Sequence, residues 1–173
     1  STGNVSVTNT DNDAAGIAVT PSFDLATTEA GGAATFTVVL TSQPTADVTI
    51  GLSSSDTTEG TISVSSLTFT AANWNTPRTV TVTGVNDVVD DGDISYAIVT
   101  AAATSSDPDY NLFDASNVLV TNADNDVTGI AVTPSSGLTT TEAGGTATYT
   151  IVLTSQPSAD VTMCLTIASP RPV

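Results

Sequence analysis

The chain repeats itself at an offset of 113 residues. Gly16-Ile17-Ala18-Val19-Thr20-Pro21-Ser22 returns as Gly129-Ile130-Ala131-Val132-Thr133-Pro134-Ser135, and Thr27-Thr28-Glu29-Ala30-Gly31-Gly32 returns as Thr140-Thr141-Glu142-Ala143-Gly144-Gly145. Across residues 14–50 against 127–163, 27 of 37 positions are identical. Such a chain stacks copies of one unit instead of building one large core. The offset predicts three parts: residues 1–13 as the last strand of a preceding repeat, 14–126 as one complete unit, and 127–173 as the truncated opening of a further repeat. Only the middle part is expected to close its own core, and the tail 167–173 has no counterpart in the complete unit.

Within that unit the hydrophobic period is 2. Ala34, Phe36, Val38 and Leu40 alternate with Thr35, Thr37, Val39 and Thr41; Val48, Ile50 and Leu52 alternate with Thr49, Gly51 and Ser53; Val80 and Val82 alternate with threonines. Threonine on a wet face and branched or aromatic groups on a dry one describe half-buried antiparallel strands. Further strands are expected at residues 17–20, 62–69, 95–101 and 117–121, separated by Gly31-Gly32, Gln43-Pro44, 73–77, 90–93 and 105–108. About seven short strands in one unit, with no helical period, predict an all-β, immunoglobulin-like antiparallel β-sandwich in tandem repeats of 113 residues. Trp74, Tyr96 and Tyr110 are expected at its margins.

Composition narrows the function. Eighteen acids against two arginines, with no lysine and no histidine, give a formal charge of -16. Nothing here neutralises a row of phosphates, so no nucleic-acid partner is expected. Without histidine the usual general base, triad member and transition-metal ligand are missing, and no enzyme activity is expected. Cys164 is the only cysteine, so no internal disulfide forms. No signal-like segment and no apolar run near 18 residues occurs, so the chain is expected not to insert into a membrane.

The acids avoid the strands and collect at the punctuation between them. Glu29 precedes the second strand, Asp56 follows the third, Asp87, Asp90, Asp91 and Asp93 share one loop, and Asp124 and Asp126 follow the last strand. In an antiparallel sandwich, loops after alternate strands share an end, so distant acids can meet. Close carboxylates repel unless a cation joins them. Calcium suits such a site, because it takes six to eight hard oxygens from flexible loops where zinc wants Cys or His. The alternative reading stays open: Asp and Asn are common turn formers that cap backbone amides in a solvated linker. Asp107, Asp109 and Asp114 fall in a separate loop and are expected to be solvated, as are Glu59, Asp24, Asp47 and Asp160.

Asp124-Asn125-Asp126-Val127-Thr128-Gly129-Ile130, like Asp11-Asn12-Asp13-Ala14-Ala15-Gly16-Ile17, resembles the acidic boundary followed by Gly-Ile that joins tandem Calx-beta domains. That family occurs in sodium-calcium exchangers, an integrin and very large bacterial surface proteins. Glu29 before Gly31, Asp56 in its turn, and the order Leu67-Thr68-Phe69, Thr79-Val80-Thr81-Val82, then the acids of 87–93 are similar to its pattern. The resemblance implies calcium as the cofactor, with Glu29, Asp56, Asp87, Asp90, Asp91, Asp93, Asp124 and Asp126 as ligands. Asn125 replaces a central acid of that family, and Asp90, Asp91 and Asp93 are shorter than the Glu it often carries. The last part keeps Glu142 but has Ser169 where Asp56 maps, so no complete site is expected there.

Together these features predict a non-catalytic structural repeat of a secreted or cell-surface bacterial rod or filament, stiffened by calcium at its repeat boundaries. Its partners are expected to be neighbouring copies, met head to tail or along the same chain. The alternative is an adhesin module that binds a glycan or cell-surface protein through exposed loops, with Asn73-Trp74-Asn75 as the candidate contact.

Overall fold

The computed structural model describes residues 3–166; the tail 167–173, Ser169 included, lies outside them. Two compact units divide the described residues: 3–86 with 93–123, and 87–92 with 124–166.

The first unit contains β1 (Ile17–Thr20), β2 (Leu25–Thr28), β3 (Ala33–Leu40), β4 (Val48–Ser54), β5 (Gly60–Ile62), β6 (Ser66–Phe69), β7 (Arg78–Gly84), β8 (Ile94–Thr100), β9 (Thr104–Ser105) and β10 (Val118–Ala123). One sheet runs β1-β3-β7-β5; the other runs β2-β10-β8-β4-β6, with β9 beside β4. All neighbours are antiparallel except β2 and β10, which run parallel.

The alternation read from the sequence sorts the side chains. Phe36, Val38 and Leu40 of β3, Val48, Ile50 and Leu52 of β4, Val80 and Val82 of β7, Ile98 of β8, and Val118 and Val120 of β10 meet in one buried cluster. The threonines between them face outward or are half-buried. Tyr110 is fully buried; its hydroxyl donates to the Ser42 carbonyl at 2.7 Å and accepts the Ser42 N–H at 3.1 Å. Trp74 is partly buried against the core, and its carbonyl accepts the Leu40 N–H at 3.1 Å.

Two stretches differ from expectation. The stretch 62–69 is two strands in different sheets, β5 and β6, because the chain crosses between layers at 63–65. β2 gives almost no apolar signal, because its inward positions are Leu25 and the polar Thr27.

In the second unit, β11 (Ile130–Thr133) and β12 (Thr150–Leu153) pair in the register of β1 and β3: Ile130 faces Leu153 as Ile17 faces Leu40. A Thr141–Gly145 bridge matches the Thr28–Gly32 bridge, and Thr133-Pro134 is cis as Thr20-Pro21 is. Among the described residues no helix is long and apolar enough to cross a membrane.

Candidate metal centre

β2 and β10 end level with each other, Thr28 opposite Ala123. The Glu29 N–H extends that ladder by donating to the Ala123 carbonyl at 3.0 Å, and the chain then turns through Gly31, whose φ of +83° suits glycine. Glu29 is buried at this corner. The residue after Ala123 is Asp124, so both parallel strands hand over to an acid at their ends.

A second corner forms where Gly60 of β5 pairs with Gly84 of β7. Glu59, the residue before β5, accepts the Val85 N–H on its carbonyl at 3.0 Å, and its side chain is buried. Asn122 holds that side chain: its Nδ2 donates to Glu59 Oε2 at 3.3 Å and to the Val85 carbonyl at 3.0 Å, while its Oδ1 accepts the Thr27 hydroxyl at 3.0 Å. The Thr27 hydroxyl also lies 3.4 Å from the Tyr96 hydroxyl. Burial pushes the Tyr96 phenol above its ordinary value, the Thr27 hydrogen bond pulls it back, and the Glu59 charge adds to the rise. Two glycines make room for this network: a Cβ on Gly60 would collide with the Tyr96 ring, and one on Gly84 with the Thr28 carbonyl and Asn122.

In the second unit the loop 87–92 is laced to the segment after β10. Asp124 Oδ2 accepts the Gly92 N–H at 2.7 Å, and Asp124 Oδ1 accepts the Asp126 N–H at 2.7 Å. Asp90 Oδ2 accepts the Thr128 N–H at 2.6 Å and the Thr128 hydroxyl. Asp124 and Asp126 carry carboxylate oxygens within 4.8 Å of each other, as do Asp87 and Asp91. Asp126 Oδ2 is buried without a hydrogen-bond partner.

No basic side chain offsets these charges among the described residues. The chain has two arginines; Arg78 opens β7, whereas the acidic corner lies past its last residue, and Arg171 is outside the described set. A buried, unpartnered carboxylate oxygen beside another carboxylate is costly unless a cation takes its lone pairs. The available donors are hard carboxylate oxygens, which fits calcium.

Asp56 and Asp93 are not among these grouped acids. Asp56 Oδ1 accepts the Thr58 N–H at 3.0 Å and the Thr58 hydroxyl at 2.6 Å, which holds the carboxyl below its ordinary range and turns it into its own loop. Asp93 is exposed just before β8. Two residues expected to be solvated are buried. Glu59 is buried because Asn122, 63 residues away, supplies a donor. Asp107 is buried because its Oδ2 accepts the Thr45 N–H at 2.7 Å and its Oδ1 the Asp109 N–H at 3.0 Å. The Thr45 bond, with that from Asp109, holds the Asp107 carboxyl below its ordinary value against the opposing effect of burial. The one sequence signal for Glu59 was its place before a glycine that opens a strand.

No protein-family model and no curated protein matches the chain. Among solved structures it is similar to the periplasmic chaperone SfaE, with a TM-score of 0.50 and 10% identity over 64% of this chain and 58% of that one. The apo Calx CBD1 domain matches with a TM-score of 0.48 and 17% identity over 64% of this chain and 96% of that one. A chaperone-tip adhesion subunit pre-assembly complex, CsuC-CsuE of Acinetobacter baumannii Csu pili, matches with a TM-score of 0.46 and 10% identity over 65% and 58%. The chain thus spans under two thirds of the SfaE chain, and at this identity the likeness is one of fold. Strand order and that likeness agree on an immunoglobulin-like β-sandwich.

Proposed function

We propose that this chain is a non-catalytic, immunoglobulin-like module of a secreted or cell-surface bacterial protein, related to Calx-beta domains and arranged in tandem. Calcium held by its strand-end acids stiffens the boundary between repeats. The observation that carries this reading is the buried, unpartnered Asp126 Oδ2 beside Asp124, with no basic side chain offsetting the pair among the described residues. Asp87, Asp91, Asp124 and Asp126 are the proposed ligands. A segment rich in like charges extends and flexes under its own repulsion, and a divalent ion replaces that repulsion with attraction. The 113-residue sequence repeat supports the tandem arrangement. Neighbouring copies are the proposed partners. Adhesion through Trp74 is the weaker reading, because that side chain is partly buried against the core.

The test is thermal melting and small-angle scattering in calcium and in chelator. For a dissociation constant of about 0.1–1 mM, ten millimolar calcium stabilises by roughly 1.4–2.7 kcal/mol, a rise of about 5–10 °C for a unit of this size. Asp126→Asn is expected to remove most of that rise. Identical melting and dimensions with and without calcium overturn the proposal.

A further inference from the structure

The buried network of the first unit contains the parts of a chemical step that the metal reading does not use. Thr27 and Asn122 are each 1% exposed, and Glu59 is 6% exposed. The Thr27 hydroxyl lies 3.0 Å from the Asn122 carboxamide oxygen, and Glu59 Oε2 lies 3.3 Å from the nitrogen of the same carboxamide. An alcohol, an amide and a carboxyl group therefore meet inside the sandwich.

The fold holds them there. The parallel ladder of β2 and β10 sets Thr27 directly opposite Asn122, so the register fixes which hydroxyl meets which amide. Gly60 and Gly84 keep the space clear, since a Cβ on the first would strike the Tyr96 ring and one on the second would strike Asn122 Oδ1. A hydrogen bond between two strands does not require a buried carboxyl group beside its amide nitrogen, and burying that group is costly. A reaction that expels the nitrogen does require it.

We propose that Thr27 and Asn122 join in an ester bond, made by the chain itself once the first unit has folded. The Thr27 oxygen bonds to Asn122 Cγ, the Cγ–Nδ2 bond breaks, and the hydroxyl proton passes through the Glu59 carboxyl to the departing nitrogen, which leaves as ammonia. Atoms and electrons balance without an oxidant or a second substrate. The hydroxyl gains the carbon when the carboxamide turns about Cβ–Cγ, a soft torsion. Effective molarities for well-oriented groups on one scaffold reach about 10⁵–10⁸ M, so a weak nucleophile suffices. Ammonia then escapes and is protonated in neutral water, which draws the step forward. The hydrogen-bonded network described above is the state before this step. The product ties β2 to β10 across 95 positions of sequence, a constraint that the single Cys164 cannot supply as an internal disulfide. This proposal rests on the sandwich interior and is independent of calcium.

The test is denaturing intact-mass spectrometry of the full chain, with an enzymatic assay for released ammonia. The expected mass is lower than that of the sequence by one ammonia, with one ammonia released per chain. Digestion beside acidic residues is expected to give one species in which the Thr27 and Asn122 peptides are joined. Mild alkali should separate them, restoring Thr27 and leaving aspartate at position 122. Thr27→Val keeps the side-chain shape and is expected to retain the full mass, which separates the ester from cyclisation of an asparagine on its own backbone. Glu59→Gln is expected to slow the loss about a hundredfold, the share of a positioned proton carrier. The joined peptides of the unmodified chain decide the matter even where a variant fails to fold. A full-mass chain with no ammonia released, a deficit that persists in Thr27→Val, or an undiminished rate in folded Glu59→Gln overturns the proposal.

Discussion

Asn122 offers the sharpest test of the buried network under the acidic corner. Asn122→Ala deletes three hydrogen bonds at once: to Glu59 Oε2, to the Val85 carbonyl, and from the Thr27 hydroxyl. A neutral buried hydrogen bond contributes about 1 kcal/mol and one to a charged group about 1.5–3 kcal/mol. Thr27 keeps a neighbour in Tyr96, but Glu59 Oε2 and the Val85 carbonyl lose this donor. The expected loss is therefore roughly 3–5 kcal/mol, a large share of the 5–15 kcal/mol that holds a typical domain together. Urea unfolding followed by Trp74 fluorescence reads the first unit, and for an m-value of about 1.5 kcal/mol/M the midpoint should fall by roughly 2–3 M with m unchanged. Asn122→Asp replaces the donor with an oxygen facing Glu59 and is expected to cost at least as much at neutral pH. A loss below about 1 kcal/mol would mean that solvent reaches these groups and that the network does not organise the corner.

Acid is expected to act through Asp56 and Asp107, both held below the ordinary carboxylate value of 3.8 by hydrogen bonds, led by the Thr58 hydroxyl and the Thr45 N–H respectively. A depressed folded value contributes stability above the unfolded value and loses it as pH falls through the folded one, so Asp107→Asn should melt below the parent at about pH 6 and converge with it as pH falls through the lowered folded value; a gap that persists in strong acid refutes this account. Gly84→Ala places a methyl group against the Thr28 carbonyl and Asn122, and overpacking of this kind should cost about 1–3 kcal/mol in the same urea assay. An unchanged midpoint would show that the β2 and β7 corner yields easily.

The sandwich was legible because its strands obey a period of 2 that depends on local sequence alone. Phe36, Val38 and Leu40 announce their own burial. β2 was hidden for the opposite reason: half of its inward face is Thr27, whose burial is tolerable only because Asn122 stands 95 residues away. Glu59 and Asp107 were misplaced on the same grounds, since a carboxylate's burial depends on donors that sequence proximity does not reveal. The acids at strand ends were readable from their recurrence, as Asp124 and Asp126 echo Asp11 and Asp13. Asp56, in the turn after the third strand read from the sequence, has its Oδ1 taken up by the Thr58 N–H and hydroxyl, a local contact that its position alone does not announce.

The parallel pairing of β2 with β10 has a mechanical consequence. Tension between the two sides of the first unit drags β2 toward its beginning and β10 toward its end. Because both strands run the same way, these pulls oppose each other along one axis, and the ladder from Val120–Leu25 to Ala123–Thr28 is loaded in shear. Its rungs then share the load instead of being peeled apart one by one, and the Thr27–Asn122 bond acts as a rivet between the two strands.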